Sequence, residues 1–123
     1  MRVREYLDQV VNRQDLNAVD RMVSPEYQGS GFGWPEDRQA LTEFYRWQAE
    51  FRPTWRIAVQ STLEVGDVVA VHAHAGCTDL PTHVDGPEAA LTASTVEWLA
   101  AYRFADGLIV AIRVLQVRGS LTQ

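Results

Sequence analysis

The side chains with the most chemical potential stand near the C-terminus, where Trp98, Tyr102 and Arg113 flank Asp106-Gly107. That dipeptide is a strong signal for a two-residue hairpin turn. With the turn there, Ala105 faces Leu108, and the outward pairs are Phe104 with Ile109, Tyr102 with Ala111, Ala100 with Arg113, Trp98 with Leu115 and Val96 with Val117. Side chains alternate along a strand, so all of these share one face. The face is aromatic, mostly apolar and carries one guanidinium, which reads as the lining of a pocket. The other face pairs Arg103 with Val110, Ala101 with Ile112, Leu99 with Val114 and Glu97 with Gln116, a mixture suited to a dimer surface.

A guanidinium among aromatic rings needs an anion, a carbonyl or a ring face. Arg113 is therefore the candidate to hold a carboxylate, phenolate or enolate; the alternative is a structural pair with Asp8 or Asp15. Tyr102 is the candidate donor to a developing oxyanion, against the alternative of a core tyrosine. These two are the candidate catalytic residues. Trp34, Trp55 and Trp98 are candidates to stack a planar ligand, or else plain core. Trp34 follows the glycine-rich stretch Gly29-Ser30-Gly31-Phe32-Gly33 and is expected at a pocket mouth.

His72 and His74 share one strand face, two residues apart. A metal site needs a third ligand, and His83 lies in a following loop, so no metal is expected. The pair alternates against the better core set Val71, Ala73 and Ala75, and is expected on the dimer surface or in solvent. Glu97 is expected to pair with Arg103 or with an arginine of a second copy. Cys77 reads as a packing residue, and Asp79, Asp85 and Glu88 as solvated loop carboxylates.

The elements that position these groups follow from periodicity. Val3, Tyr6, Leu7, Val10 and Val11 form a helical stripe. Asp15 reads as the N-cap of a second helix carrying Leu16, Val19 and Val23, which ends at Ser24-Pro25. Glu26-Tyr27-Gln28 reads as a short strand. A third helix is expected from Pro35 at its first position, with Ala40, Leu41, Phe44, Trp47 and Phe51 on one side. The period then becomes two. Strands are expected over residues 55–64, 69–75, 94–105 and 108–117, with a turn at Gly66-Asp67 and a loop over residues 77–93. Three helices followed by long strands give an α+β domain with helices on one face of a sheet.

Composition narrows the function. A chain of 123 residues with 46% hydrophobic and 22% charged residues makes one globular domain, spanning 1–123, and excludes a disordered or fibrous chain. The net charge of −5 disfavours nucleic acid. All 11 basic residues are arginines, which excludes a lysine Schiff base. No apolar run reaches membrane-span length, and the N-terminus lacks a secretion signal. With one cysteine, these features fit a cytoplasmic protein. No glycine-rich phosphate motif is present, so no cofactor is expected.

Tyr6 to Leu16 (YLDQVVNRQDL), Phe51-Arg52-Pro53-Thr54-Trp55, Gly66-Asp67 with Val69, Tyr102-Arg103-Phe104-Ala105-Asp106-Gly107, and Gly119 with Gln123 together resemble the SnoaL-like polyketide cyclase branch of the nuclear transport factor 2-like superfamily. The resemblance implies a cone-shaped barrel: three N-terminal helices on a strongly curved antiparallel or mixed sheet, a deep pocket between them, and a homodimer through the sheet. It also implies a general acid/base aspartate near the end of the last strand. Here that position falls on Val117 or Gln116, depending on the anchor, and neither supplies a carboxylate. Gln116 donates and accepts hydrogen bonds but takes no proton at neutral pH, which makes it a candidate substrate-binding residue. The expectation is a cyclisation, isomerisation or related rearrangement of a planar polycyclic or polyketide-like substrate in secondary metabolism. The alternative is a non-catalytic dimeric protein that binds a small apolar or aromatic ligand.

Overall fold

The structure, a computed structural model, describes residues 2–77 and 94–121. Asp79, His83, Asp85, Glu88 and Gln123 lie outside the described residues. Helix α1 (Arg2–Leu7) continues into a π-helical turn (Asp8–Asn12), followed by α2 (Asn17–Met22), β1 (Val23–Ser30), α3 (Arg38–Phe51), β2 (Trp55–Val65), β3 (Val68–Cys77), β4 (Ser94–Ala105) and β5 (Leu108–Leu121). The five strands form one mixed sheet in the order β1-β5-β4-β3-β2, with β1 parallel to β5 and the other pairs antiparallel. No helix among the described residues is long and apolar enough to cross a membrane.

The stripe Val3, Tyr6, Leu7, Val10 and Val11 is buried as its spacing predicts. It packs on the inner face of the sheet, against Val71, Ala73, Tyr102 and Ile112. Asn12 ties the π-helical turn to β2: its amide donates to the Ile57 carbonyl (3.0 Å) and accepts from the Ile57 N–H (2.8 Å). The first strand is longer than expected and begins where α2 ends.

Helix α3 starts later than expected. Asp37, rather than Pro35, sets its start, by accepting from the Ala40 N–H at 2.7 Å. Its buried side carries Leu41 and Tyr45, while Trp47 and Phe51 are 46% and 63% exposed. The expected stripe through Trp47 and Phe51 is thus rotated. Tyr45 takes the inward place because its hydroxyl finds a buried partner in Tyr6.

Asp106 and Gly107 both adopt positive φ (53° and 79°), as a two-residue hairpin turn between twisted strands requires. The pairs Ala105–Leu108 and Phe104–Ile109 form as expected. Bulges then shift the register. Val110 is passed over, so Tyr102 pairs with Ile112 and Ala101 with Arg113. Leu115 is passed over next, so Leu99 pairs with Gln116 and Trp98 with Val117. A third bulge lies in β2 between Val59 and Ser61. Each bulge bends its strand and increases local twist.

The connection from β1 to α3 is held tightly against β5. Gly31 (φ 91°) sits so close to Val114 that a Cβ there would run into the Val114 carbonyl oxygen, whereas Gly33 (φ 71°) faces open space. The Trp34 backbone N–H donates to the Gly31 carbonyl (3.0 Å), which ties the start of the segment that carries the indole to this contact. Gly31→Ala is expected to cost about 2 kcal/mol or more, a fall in melting temperature of roughly 8 °C. Gly33→Ala carries the conformational cost alone, about 1 kcal/mol. Equal losses in thermal melts of the two variants would show that the close approach to β5 is unimportant.

Candidate functional site

Between the inner face of the sheet and helices α1 and α3 lies a cleft of about 110 Å³. Leu7 and Val11 line it from the N-terminal helix, Phe44, Tyr45 and Gln48 from α3, and Trp55, Trp98, Tyr102 and Val117 from the sheet. Trp34 closes one side, with its ring 4.9 Å from Trp98 and 5.0 Å from Phe44. The sequence candidates Trp34, Trp55, Trp98 and Tyr102 therefore meet in one place.

Arg113 and Gln116 do not join them. The first bulge turns Arg113 to the outer face of the sheet, where it is exposed, while Ile112 and Val114 turn inward and are buried. Burying an unpaired guanidinium costs several kcal/mol, whereas each buried aliphatic side chain contributes about 1.5–3 kcal/mol, so this register is favoured. Arg113 also does not pair with Asp8 or Asp15, which bind Arg13 (3.0 Å) and Arg21 (2.9 Å). Gln116 pairs with Leu99 on the outer face, and with its amide oxygen toward Arg118 it accepts from Nε and Nη2 at 2.7 and 2.9 Å.

The cleft is defined by donors rather than charge. Trp34 Nε1, Trp98 Nε1 and the Tyr102 hydroxyl are buried and complete no well-formed hydrogen bond within the described structure. The Trp98 indole N–H faces the Tyr102 oxygen and the Trp34 indole N–H faces that of Tyr27, so the Tyr102 proton is the donor left without an acceptor. Burial pushes the Tyr102 phenol well above its ordinary pKa, and the nearby Trp98 indole N–H offsets this only in part. Tyr102 therefore keeps its proton at any physiological pH and acts as a donor, not as a base. Tyr6 and Tyr45 are shifted upward by burial too, but their hydroxyls are joined at 3.1 Å. Tyr27 donates to the Pro35 carbonyl at 3.1 Å. Among the described lining residues there is no carboxylate, histidine or arginine. Such a lining can accept a flat apolar body and donate to an oxygen on its edge. The sequence reading missed Tyr45 and Gln48. The spacing Leu41, Phe44, Tyr45, Gln48 would have found them had the polar ends been counted as inward.

A profile of the SnoaL-like domain family matches residues 3–112. No curated protein matches the chain. Solved structures share the fold at low identity. A candidate polyketide cyclase from Sinorhizobium meliloti is 14% identical, with 92% of each chain covered and a TM-score of 0.67. A candidate polyketide cyclase from Acidithiobacillus ferrooxidans is 15% identical, with 92% of this chain and 83% of that chain covered and a TM-score of 0.71. An NTF2-like protein of unknown function from Cytophaga hutchinsonii is 13% identical, with 92% and 84% covered and a TM-score of 0.66.

Removing an unpartnered buried hydroxyl relieves a desolvation cost. Tyr102→Phe is therefore expected to stabilise the ligand-free protein by about 1–2 kcal/mol. Tyr6→Phe breaks a made hydrogen bond and is expected to destabilise by about 1 kcal/mol. Denaturant titration of both variants reads the two signs; a loss of stability in Tyr102→Phe would mean that its hydroxyl has a partner.

Proposed function

We propose a function on the premise that the chain belongs to the SnoaL-like domain family: the cleft binds a planar, largely apolar carbonyl compound of polycyclic or polyketide type and stabilises its enolate during cyclisation, isomerisation or a related rearrangement. The observation that carries this reading is the buried Tyr102 hydroxyl, which faces an indole N–H but has no acceptor for its own proton in an apolar cleft. The Tyr102 O–H lacks an acceptor that a carbonyl oxygen would supply, and the cost of leaving it bare is recovered only when such an oxygen is present. Tyr102 holds its proton and strengthens its hydrogen bond as negative charge grows on that oxygen. Trp34 and Trp98 cover the ring faces. The cleft holds less than the roughly 150 Å³ that accommodates a benzene ring, so a larger ligand displaces Trp34 from its place against Trp98.

The lining also favours a second reading. With no proton-accepting side chain among the described lining residues, the pocket serves equally as a binding site without turnover. For either role the family resemblance supports a homodimer through the outer sheet face, where Leu63, Val65 and Leu115 are exposed.

Calorimetry with a planar aromatic ketone and its carbonyl-free hydrocarbon analogue tests the binding claim. The ketone is expected to bind about tenfold more tightly, a difference of about 1.4 kcal/mol. Tyr102→Phe should reduce that preference, and Arg113→Ala should leave it unchanged. Equal affinity for ketone and hydrocarbon would overturn the reading. Exchange of protons α to the ketone carbonyl, followed by NMR in D2O, separates catalysis from binding: acceleration that is lost in Tyr102→Phe supports an enolate, and binding without acceleration supports the second reading.

A further inference from the structure

The outer face of the sheet holds a second cluster, remote in chemistry from the cleft. His72 and His74 are two apart on β3, and β4 places Glu97 directly opposite His74. Glu97 Oε2 lies 3.7 Å from His72 Nε2 and 3.6 Å from His74 Nε2. The two imidazoles stand nearly perpendicular, their centres 5.3 Å apart. All three residues present a ligand atom within 4.8 Å of the other two. Glu97 is thus not paired with Arg103; its partners among the described residues are the two histidines.

We propose that His72, His74 and Glu97 form a binding site for a divalent transition metal of the zinc class. Two imidazole nitrogens and one carboxylate oxygen are a donor set that zinc accepts, with bonds of about 2.0–2.1 Å. Tetrahedral ligands at that distance lie about 3.3 Å apart. Closing the histidine–glutamate separations of 3.6 and 3.7 Å to that value needs movements of a few tenths of an ångström, and the two imidazoles, whose ligand atoms lie within 4.8 Å of one another, approach by rotation of side chains that are partly in solvent. The backbone beneath them is hydrogen-bonded sheet, so the ligands stand on a rigid base.

The surroundings leave the carboxylate available. Arg118 sits opposite Glu97 on β5 but is engaged by Gln116, and no ion pair joins it to Glu97 among the described residues. On the β2 side, His72 faces Ser61 and His74 faces Ala58, both small. Arg103 and Arg113 share the outer face further along β4 and β5. The hard cations Mg²⁺ and Ca²⁺ prefer oxygen donors and are not expected to use two imidazoles.

The test is a calorimetric titration of the chelator-stripped chain with ZnCl₂, and with MgCl₂ as control. The expected result is saturable uptake of one Zn²⁺ per chain, no response to Mg²⁺, and a rise in melting temperature that EDTA reverses. His74→Ala and Glu97→Gln are each expected to weaken binding by more than about tenfold, since even losing an outer-shell partner of a zinc site costs about that much. The double variant His72→Ala/His74→Ala should abolish it. These side chains are partly exposed, and thermal melts confirm that the variants fold. Wild-type affinity in the double variant, an equal response to Mg²⁺, or a dissociation constant weaker than about 1 mM would each overturn the site.

Discussion

Each inserted residue in a paired strand exchanges the two faces of everything beyond it, and two such insertions in β5 govern this protein. Passing over Val110 brings Ile112 and Val114 into the core and sends Arg113 to solvent. Passing over Leu115 restores the phase, so Val117 returns to the cleft beside Trp98. Without the first bulge, a guanidinium would occupy the inner face. The lining of the cleft is free of formal charge, among the described residues, because the strand bends and keeps the Arg113 guanidinium out of it.

That apolar interior explains the state of the tyrosines. Tyr6, Tyr27, Tyr45 and Tyr102 all reach the inner layer, and burial raises the pKa of each. Three of the four hydroxyls find partners close by: Tyr6 and Tyr45 each other, and Tyr27 a carbonyl of the glycine-rich connection. The fourth, Tyr102, faces the Trp98 indole N–H and finds no acceptor for its own proton. An unmet buried donor at a cleft is a stability cost of the kind that binding sites retain. The Gly31–Val114 contact supports the arrangement from outside, because it anchors the connection that carries Trp34.

The sheet also separates two kinds of chemistry. Inward it offers proton donors in an apolar setting, where a developing negative charge is stabilised strongly. Outward it offers two imidazoles and a carboxylate, donors suited to a transition-metal cation. The residues of β3 show the division: Val71, Ala73 and Ala75 are buried, and His72 and His74 between them point the other way.

The sequence alone determined the α+β order, the four later strands, the hairpin turn at Asp106-Gly107 and the inward phase of β3, because these rest on short-range periodicity and on the φ preferences of single residues. It also named Trp34, Trp55, Trp98 and Tyr102 as candidates, and the fold brings them to one cleft. The phase of β5 beyond Ile109 was left to the tertiary structure. A bulge carries no local signature here; it forms because burying Ile112 and Val114 outweighs an unbroken ladder, and that comparison exists only once the helices cover the sheet. The same holds for α3, whose inward face was decided by the Tyr6 hydroxyl waiting for Tyr45, and for Glu97, whose neighbours on β3 come from a pairing that spans more than twenty residues of chain.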